Sequence, residues 1–233
     1  VGGLTVAREI MRNLPSERIV YFGDTARVPY GSKSKEIVLK YSRQIVRFLQ
    51  TQEVKAIVVA CNTASAMALE TIREEIDIPI IGVVKPGAKV AARTTRNKKI
   101  GLIGTRGTVN SELYPAIIHE YDPRIQVIGQ ACPLLVPLVE EGWLKDKVTV
   151  EVTKRYLDPL LEQGVDTLIL GCTHYPLLRS LMRQVAGESV TLVNPAYETA
   201  RALRELLKEH GIENDGHEEE EFPYRFYVSD AEE

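Results

Sequence analysis

Short apolar runs alternate with amphipathic stretches along the chain. The runs are Ile19–Phe22, Ala56–Ala60, Ile78–Val84, Ile100–Ile103, Ile125–Ile128, Thr167–Leu170 and Val190–Val193, and Tyr224–Ser229 is a further strand-like segment. They are rich in Val and Ile and do not alternate with polar residues. This pattern is typical of strands that are covered on both faces, as in a parallel sheet.

The stretches between the runs have helical periodicity. Helices are predicted at Leu4–Leu14, Lys35–Thr51, Ala64–Glu75, Ser111–Glu120, Lys147–Gln163, Leu177–Val185 and Ala196–Glu209. Strands that alternate with helices in this way predict an open, wound α/β architecture.

An internal repeat divides the chain into two similar parts. The segment Ala56–Thr63 aligns with Thr167–His174, 111 residues further on, and each is an apolar strand that ends in Cys and is soon followed by Thr. A repeat of this length indicates two related domains rather than a solenoid. We therefore expect two pseudo-symmetric wound α/β domains with mainly parallel sheets, formed by residues 1–85 plus 196–233 and by residues 86–195. The active site is expected in the cleft between them.

The same offset makes a prediction about the start of the first domain. Residues Ile100–Val109 read as a strand, a Gly-rich turn and the start of a helix, and the equivalent strand falls before Val1. The segment Val1–Val6 matches only the turn. We expect the first domain to open with a strand that precedes this sequence.

Composition narrows the class of protein. The 233 residues are 44% hydrophobic and 26% charged, which is ordinary for a globular protein. A net charge of −3 without a basic stripe argues against nucleic-acid binding. The sequence shows no run near the roughly 18 apolar residues of a membrane span and no signal-peptide pattern. Three cysteines, an odd number, suit a reducing cytoplasm better than a disulfide framework.

Cys61 and Cys172 are the candidate reactive groups, because ligands of open α/β sheets bind beyond the carboxyl ends of the strands. Each is expected just before a helix, whose N-terminus would lower the pKa of the thiol. The residues that follow the two thiols can bind a carboxylate or a carbonyl: Asn62, Thr63, Thr173 and His174.

Several interpretations of these thiols compete. A single Cys in an apolar strand is usually a small buried hydrophobe, and Cys132, which precedes Pro133, is interpreted in this way. The repeated pair could form a disulfide, hold a metal or transfer protons. A structural disulfide is disfavoured, because the active-site strand ends of two domains are poor positions for one. A metal is disfavoured because only His174 is nearby and no CxxC motif occurs. Two-base proton transfer at a carbon acid remains, which indicates racemisation or epimerisation. A phosphate loop at Gly101–Thr108 is disfavoured by the missing Lys-Ser/Thr ending.

Several motifs together resemble bacterial glutamate racemases, which belong to the cofactor-independent aspartate/glutamate racemase family. They are Val1–Val6, Tyr21–Gly31, Cys61–Ser65, Gly104–Thr108, Cys132–Pro137 and Leu170–Pro176, and the resemblance covers essentially the whole chain.

The resemblance implies interconversion of L- and D-glutamate without pyridoxal phosphate or metal, for peptidoglycan synthesis, by a homodimer. It implies that Cys61 and Cys172 are the two acid/base residues, with His174 tuning Cys172. The implied substrate contacts are Tyr30, Gly31, Asn62, Thr63, Thr173 and His174. One of Glu140 and Glu141 is a candidate to approach the site.

Alternatives remain open at this point. The family's first strand ends in an Asp-Ser pair that contacts the substrate amino group, and this pair is absent from the sequence. Its absence keeps a non-catalytic amino-acid-binding module open. A racemase for aspartate or hydantoins is the alternative enzyme, and a partner-binding role is a third class.

Overall fold

The structure is a computed structural model that describes residues 1–216 and 223–231. Strands and helices alternate along it. The strands are β1 Ile19–Gly23, β2 Ile57–Val59, β3 Ile80–Gly82, β4 Lys99–Gly104, β5 Gln126–Ala131, β6 Thr167–Gly171, β7 Thr191–Val193 and β8 Tyr224–Val228. The α-helices are α1 Gly2–Asn13, α2 Lys35–Gln50, α3 Asn62–Met67, α4 Leu69–Glu75, α5 Val84–Thr94, α6 Arg106–Asn110, α7 Leu113–Tyr121, α8 Leu135–Glu140, α9 Lys147–Glu162, α10 Arg179–Ala186 and α11 Pro195–Glu209. Among these helices none is long and apolar enough to cross a membrane.

All strands pair in parallel, which confirms the predicted α/β class. One sheet has four strands in the order β5-β4-β6-β7, and two further pairs are β1-β8 and β2-β3. Strands β2 and β3 lie 111 residues before matching parts of β6 and β7, as the repeat predicts. We call β1, β2, β3 and β8 with their helices the first half, and β4 to β7 with theirs the second half.

The four-stranded sheet is covered on both faces, as its continuous apolar runs predict. In β4, Leu102 and Ile103 are both fully buried but belong to different apolar clusters, and in β6 the same holds for Leu168 and Ile169. Successive side chains of a strand point to opposite faces, so each face of the sheet has its own core.

The first half differs from the second at its centre. In the second half β4 lies between β5 and β6. A cavity of about 560 Å³ lies at the matching place between β1 and β2, and its walls include Val6 and Ile10 of α1, Val58 of β2 and Leu203 of α11.

Helices α5 and α8 were not predicted, and the predicted strand at Ile78–Val84 is much shorter than expected. The run Ile78–Val84 is a strand only at Ile80–Gly82, and α5 begins at Val84. The pattern missed α5 because Pro86 and Gly87 interrupt it, although Pro is tolerated in a first helical turn, where its missing N–H has no partner to lose. The short helix α8 was missed as well.

Candidate active site

Cys61 follows β2 and caps the N-terminus of α3. Its backbone is extended, and the Ala64 N–H donates to the Cys61 sulfur over 3.4 Å. Desolvation raises the pKa of the thiol, whereas hydrogen bonds from Ala64 and Thr63 lower it to a smaller extent. The prediction of a lowered pKa is therefore wrong, although the helix start does contribute in the expected direction.

Cys172 follows β6 but does not precede an α-helix directly. A turn at Thr173 and His174 leads into a 3₁₀ helix at Tyr175–Leu178, and α10 begins only at Arg179. The prediction of an adjoining helix is wrong because Tyr175 precedes a proline, which disfavours the α conformation. Burial raises the pKa of Cys172 to about 12, and the charges of Cys61 and Glu140 add to this.

His174 bridges Cys172 and Glu140. Its Nδ1 is 3.6 Å from the Cys172 sulfur, and its Nε2 is 2.5 Å from Glu140 Oε1. Burial lowers the pKa of His174, and Glu140 opposes that shift. The neutral imidazole that burial favours donates from Nε2 to the carboxylate, so that Nδ1 is left as an acceptor facing the thiol. Burial thus favours a neutral imidazole beside Cys172, and Glu140 rather than Glu141 is the glutamate that reaches the site.

The two halves meet beside the thiols. The Cys61 charge contributes to the raised pKa of Cys172, so the two sulfurs are within electrostatic reach. The Thr63 hydroxyl is 2.9 Å from the Thr105 hydroxyl, which donates to Thr108 over 3.2 Å. We call these three residues the threonine cluster; it joins α3 of the first half to the β4–α6 turn of the second.

The loop after β1 carries Tyr30 and Gly31. The Tyr30 hydroxyl donates to Asp24, and desolvation together with this carboxylate raises the pKa of Tyr30 well above its usual value. The Gly31 carbonyl accepts the Gly107 N–H over 3.1 Å. A Cβ on Gly31 would lie 2.5 Å from the Thr105 Cβ, so this contact between the halves requires glycine.

Helix α1 lies against the turn that follows Cys172. The Thr5 hydroxyl donates to the Thr173 carbonyl over 2.8 Å. A Cβ on Gly2 would lie 2.6 Å from the Thr173 hydroxyl and 2.7 Å from His174 Nδ1. The first turn of α1 thus belongs to the wall of the site.

Asn62 is held from the opposite half by a residue that sequence reasoning missed. Its Oδ1 accepts from the Tyr114 hydroxyl of α7 over 2.6 Å. No motif marked Tyr114. The threonine cluster had a signal, because Thr105 and Thr108 lie in the Gly104–Thr108 motif directly after a strand.

The three cysteines are free thiols, and Cys132 is fully buried in an apolar cluster. No group of three or more His, Cys, Asp or Glu residues in the described part of the chain is placed to hold a metal ion. The site is built from thiol, hydroxyl, amide and imidazole groups, with the Glu140 carboxylate bound to the imidazole.

A parallel α/β fold with two thiols at equivalent strand ends, surrounded by neutral donors, is typical of isomerases that move a proton on carbon. Residues 4–214 match the family model for Asp/Glu/Hydantoin racemase. The chain belongs to this family and is an isomerase.

Curated relatives resemble the chain over nearly its whole length. It is 50% identical over 231 residues to a glutamate racemase of Geobacter metallireducens, covering 99% of this chain and 85% of the relative. It is 51% identical over 231 residues to a glutamate racemase of Neisseria meningitidis serogroup A, covering 99% and 84%.

Solved structures agree with this. A glutamate racemase isoform from Bacillus anthracis has a TM-score of 0.94 and 44% identity, with 99% of this chain and 86% of that one covered. A glutamate racemase from Francisella tularensis in complex with D-glutamate has a TM-score of 0.91 and 38% identity, covering 100% and 86%. An aspartate racemase from Picrophilus torridus shares only the fold, at 20% identity, a TM-score of 0.52 and coverage of 74% and 69%.

Proposed function

We propose that the chain interconverts L- and D-glutamate. The observation that carries the proposal is the pair of thiols, Cys61 and Cys172, which follow equivalent strands of the two halves, where the Thr63–Thr105 and Asn62–Tyr114 contacts join the halves. Relatives about half identical to the chain are named glutamate racemases, and a similar structure holds D-glutamate. The aspartate alternative has weaker support, because the aspartate racemase of Picrophilus torridus shares only the fold with this chain.

The reaction uses one thiolate and one thiol. The thiolate takes the α-proton from one face of the substrate and becomes a thiol, and the other thiol gives its proton to the opposite face and becomes a thiolate. Because a charge on Cys61 raises the pKa of Cys172, the two sulfurs do not readily ionise at the same time. Each turnover leaves the pair in the opposite protonation state, which is ready for the other enantiomer.

The substrate carboxylates bind to fixed neutral donors. These are the Asn62 amide, the threonine cluster and the Thr173 hydroxyl. Such preoriented dipoles stabilise the charge that develops when the α-proton leaves. Asn62, Thr63, Thr108 and Thr173 are all buried, and exclusion of water strengthens these contacts.

In this proposal His174 prepares Cys172 for proton abstraction. Its neutral Nδ1 accepts the thiol proton, and Glu140 holds the ring through Nε2. The chain's own side chains carry both proton transfers, so the proposal assigns no role to a cofactor. Tyr30 supports the loop after β1 through its hydrogen bond to Asp24, and Gly31 lets that loop pack closely against the second half.

The division into domains 1–85 plus 196–233 and 86–195 remains a proposal. It is supported by the parallel pairing of β8 with β1, which joins the last described strand to the first half. The peptidoglycan role, the cytoplasmic location and the homodimer remain predictions from the family resemblance.

Deuterium incorporation tests the proposed function. In D₂O, each enantiomer of glutamate should yield a product that carries deuterium at the α-carbon. Cys61→Ser and Cys172→Ser should each stop racemisation, whereas Cys132→Ala should keep it. Undiminished racemisation in either serine variant would contradict the proposal.

Two further measurements separate the alternatives. Faster turnover of L-aspartate than of L-glutamate would indicate an aspartate racemase. Calorimetric binding of glutamate without α-proton exchange would instead indicate a binding module.

A further inference from the structure

Asn62 carries an unused hydrogen-bond donor directly beside Cys61. Only 3% of the residue is exposed, and its Oδ1 accepts from Tyr114. Its Nδ2 is buried without a hydrogen-bond partner among the described residues, a state otherwise found only for Thr153 Oγ1. Buried donors without partners are rare because they lose their hydrogen bonds to water without replacement. This Nδ2 is therefore available to donate a hydrogen bond to an acceptor atom of a ligand.

The identity of the free atom depends on Tyr114. A side-chain amide presents a carbonyl oxygen on one side and an NH₂ group on the other, and the two are nearly equal in shape. The Tyr114 hydroxyl has one hydrogen to donate, and within the described residues Asn62 Oδ1 is its acceptor. Rotation of the amide by half a turn would leave that hydrogen unbonded and would turn Oδ1 toward the position of Nδ2.

Tyr114 is held rigidly enough to act in this way. It is 0% exposed and packs in the apolar cluster that includes Ala88 and Ile118. A Cβ on Gly87 of α5 would lie 3.5 Å from the Tyr114 hydroxyl, which is ordinary contact, so α5 packs directly beside the hydroxyl. The tyrosine thus offers a fixed donor from the second half to an amide of the first half.

We propose that Tyr114 is a positioning residue that orients the Asn62 amide, so that Nδ2 donates to a carboxylate of the substrate beside Cys61. This rests on the proposed glutamate racemisation. With the amide reversed, Oδ1 would repel the same carboxylate. Tyr114 thereby selects an anionic group at this place without touching the substrate.

The kinetic test is Tyr114→Phe, which removes one oxygen and keeps the ring. We expect KM for both enantiomers of glutamate to rise about tenfold while kcat changes less, because the carboxylate is already charged before the α-proton leaves, so most of this hydrogen bond is present in the ground state. Tyr156→Phe is the matched control, since that tyrosine lies in the same half and its hydroxyl accepts only a 3.4 Å bond from the Leu134 N–H. It should leave KM unchanged.

A double-mutant cycle separates positioning from general structural support. Once Asn62→Ala has removed the amide, Tyr114→Phe should have no further effect on KM. Full additivity of the two effects would overturn the inference, as would an unchanged KM in Tyr114→Phe.

A spectroscopic test does not depend on racemase activity. The side-chain NH₂ resonances of Asn62, assigned by their loss in Asn62→Ala, should shift in Tyr114→Phe and should shift in the unsubstituted protein when glutamate is added. Unchanged resonances in Tyr114→Phe would overturn the positioning role even if the protein racemises glutamate. Shifted resonances in a protein that does not racemise glutamate would refute the proposed function and keep the orientation of the amide by Tyr114.

Discussion

The two thiols occupy equivalent strand ends, but the halves surround them differently. Cys61 keeps some solvent exposure, caps α3 and accepts a backbone N–H from Ala64. Cys172 is buried, is followed by a non-helical turn and lies beside the His174 imidazole, which Glu140 holds. The repeat thus preserves the position of the sulfur and a backbone hydrogen bond to it, but not the side chains that surround it.

This difference determines which half a substitution can affect. Two backbone N–H groups and the Thr63 hydroxyl support the Cys61 thiolate. Cys172 has one backbone hydrogen bond, at His174, and the His174 and Glu140 side chains beside it can be altered one at a time. Substitutions on the two sides therefore test this contrast under the proposed two-thiol reaction.

The largest effect is expected for the thiols themselves. Cys61→Ser and Cys172→Ser should each lower racemisation by roughly a thousandfold or more, since a positioned acid or base contributes about 10²–10⁴. Each variant should still exchange the α-proton of one enantiomer with solvent, because its remaining thiolate serves one face. Proton NMR in D₂O should show opposite enantiomers exchanging in the two variants, and the same enantiomer in both would show that the thiols do not serve opposite faces.

His174→Ala should produce the next largest effect, confined to the second half. We expect α-proton abstraction by Cys172 to slow about a hundredfold, because the acceptor of its thiol proton is lost. The exchange catalysed by Cys61 in a Cys172→Ser background should change little. The exposed His210, which bonds only to the Leu206 carbonyl, provides the control His210→Ala. Equal slowing on both faces would remove the contrast between the halves.

Glu140→Gln should have a smaller effect with a distinct pH dependence. Glu140 raises the pKa of His174, so its replacement should lower that pKa further. The reactive form needs neutral His174, so the acidic limb of the kcat/KM profile should move to lower pH, while the rate at neutral pH falls about tenfold as the ring loses its charged acceptor. Glu141→Gln is the matched control on the adjacent residue. Movement of the limb to higher pH would contradict the assignment.

Thr108→Val should have the smallest effect and tests the junction between the halves. It removes one hydroxyl of the threonine cluster, and we expect KM for glutamate to rise about threefold because the donors to one carboxylate become fewer. Thr108→Ser keeps the hydroxyl and should behave like the unsubstituted protein. Steady-state kinetics with both enantiomers measures the effect, and an unchanged KM in Thr108→Val would separate the cluster from substrate binding.

The sequence predicts the alternation of strands and helices and the residues beside each thiol, because these depend on short-range patterns. A few consecutive apolar residues are enough to predict buried strands such as Thr167–Leu170. The internal repeat then pairs Cys61 with Cys172. The family motifs, by resemblance, add the loop at Tyr30 and Gly31.

The remaining features depend on packing between distant segments. The raised pKa of Cys172 comes from burial by elements far apart in the chain. The prediction of a lowered pKa was based only on the residues that follow the thiol in the sequence. Tyr114 and Asn62 are 52 residues apart, and neither pattern nor motif joins them. The choice between Glu140 and Glu141 depends on where α8 ends, and the pattern did not predict that helix.

The unequal surroundings of the two sulfurs have a consequence for the rates of the two directions of the reaction. Mirror-image amino acids have the same free energy in water, so their interconversion has an equilibrium constant of one whatever the catalyst. Because Cys172 and Cys61 have different hydrogen-bond partners, the turnover numbers of the two directions can differ. Any such difference is matched by an equal ratio of Michaelis constants. The value of kcat/KM is therefore the same for both enantiomers, although the site is asymmetric.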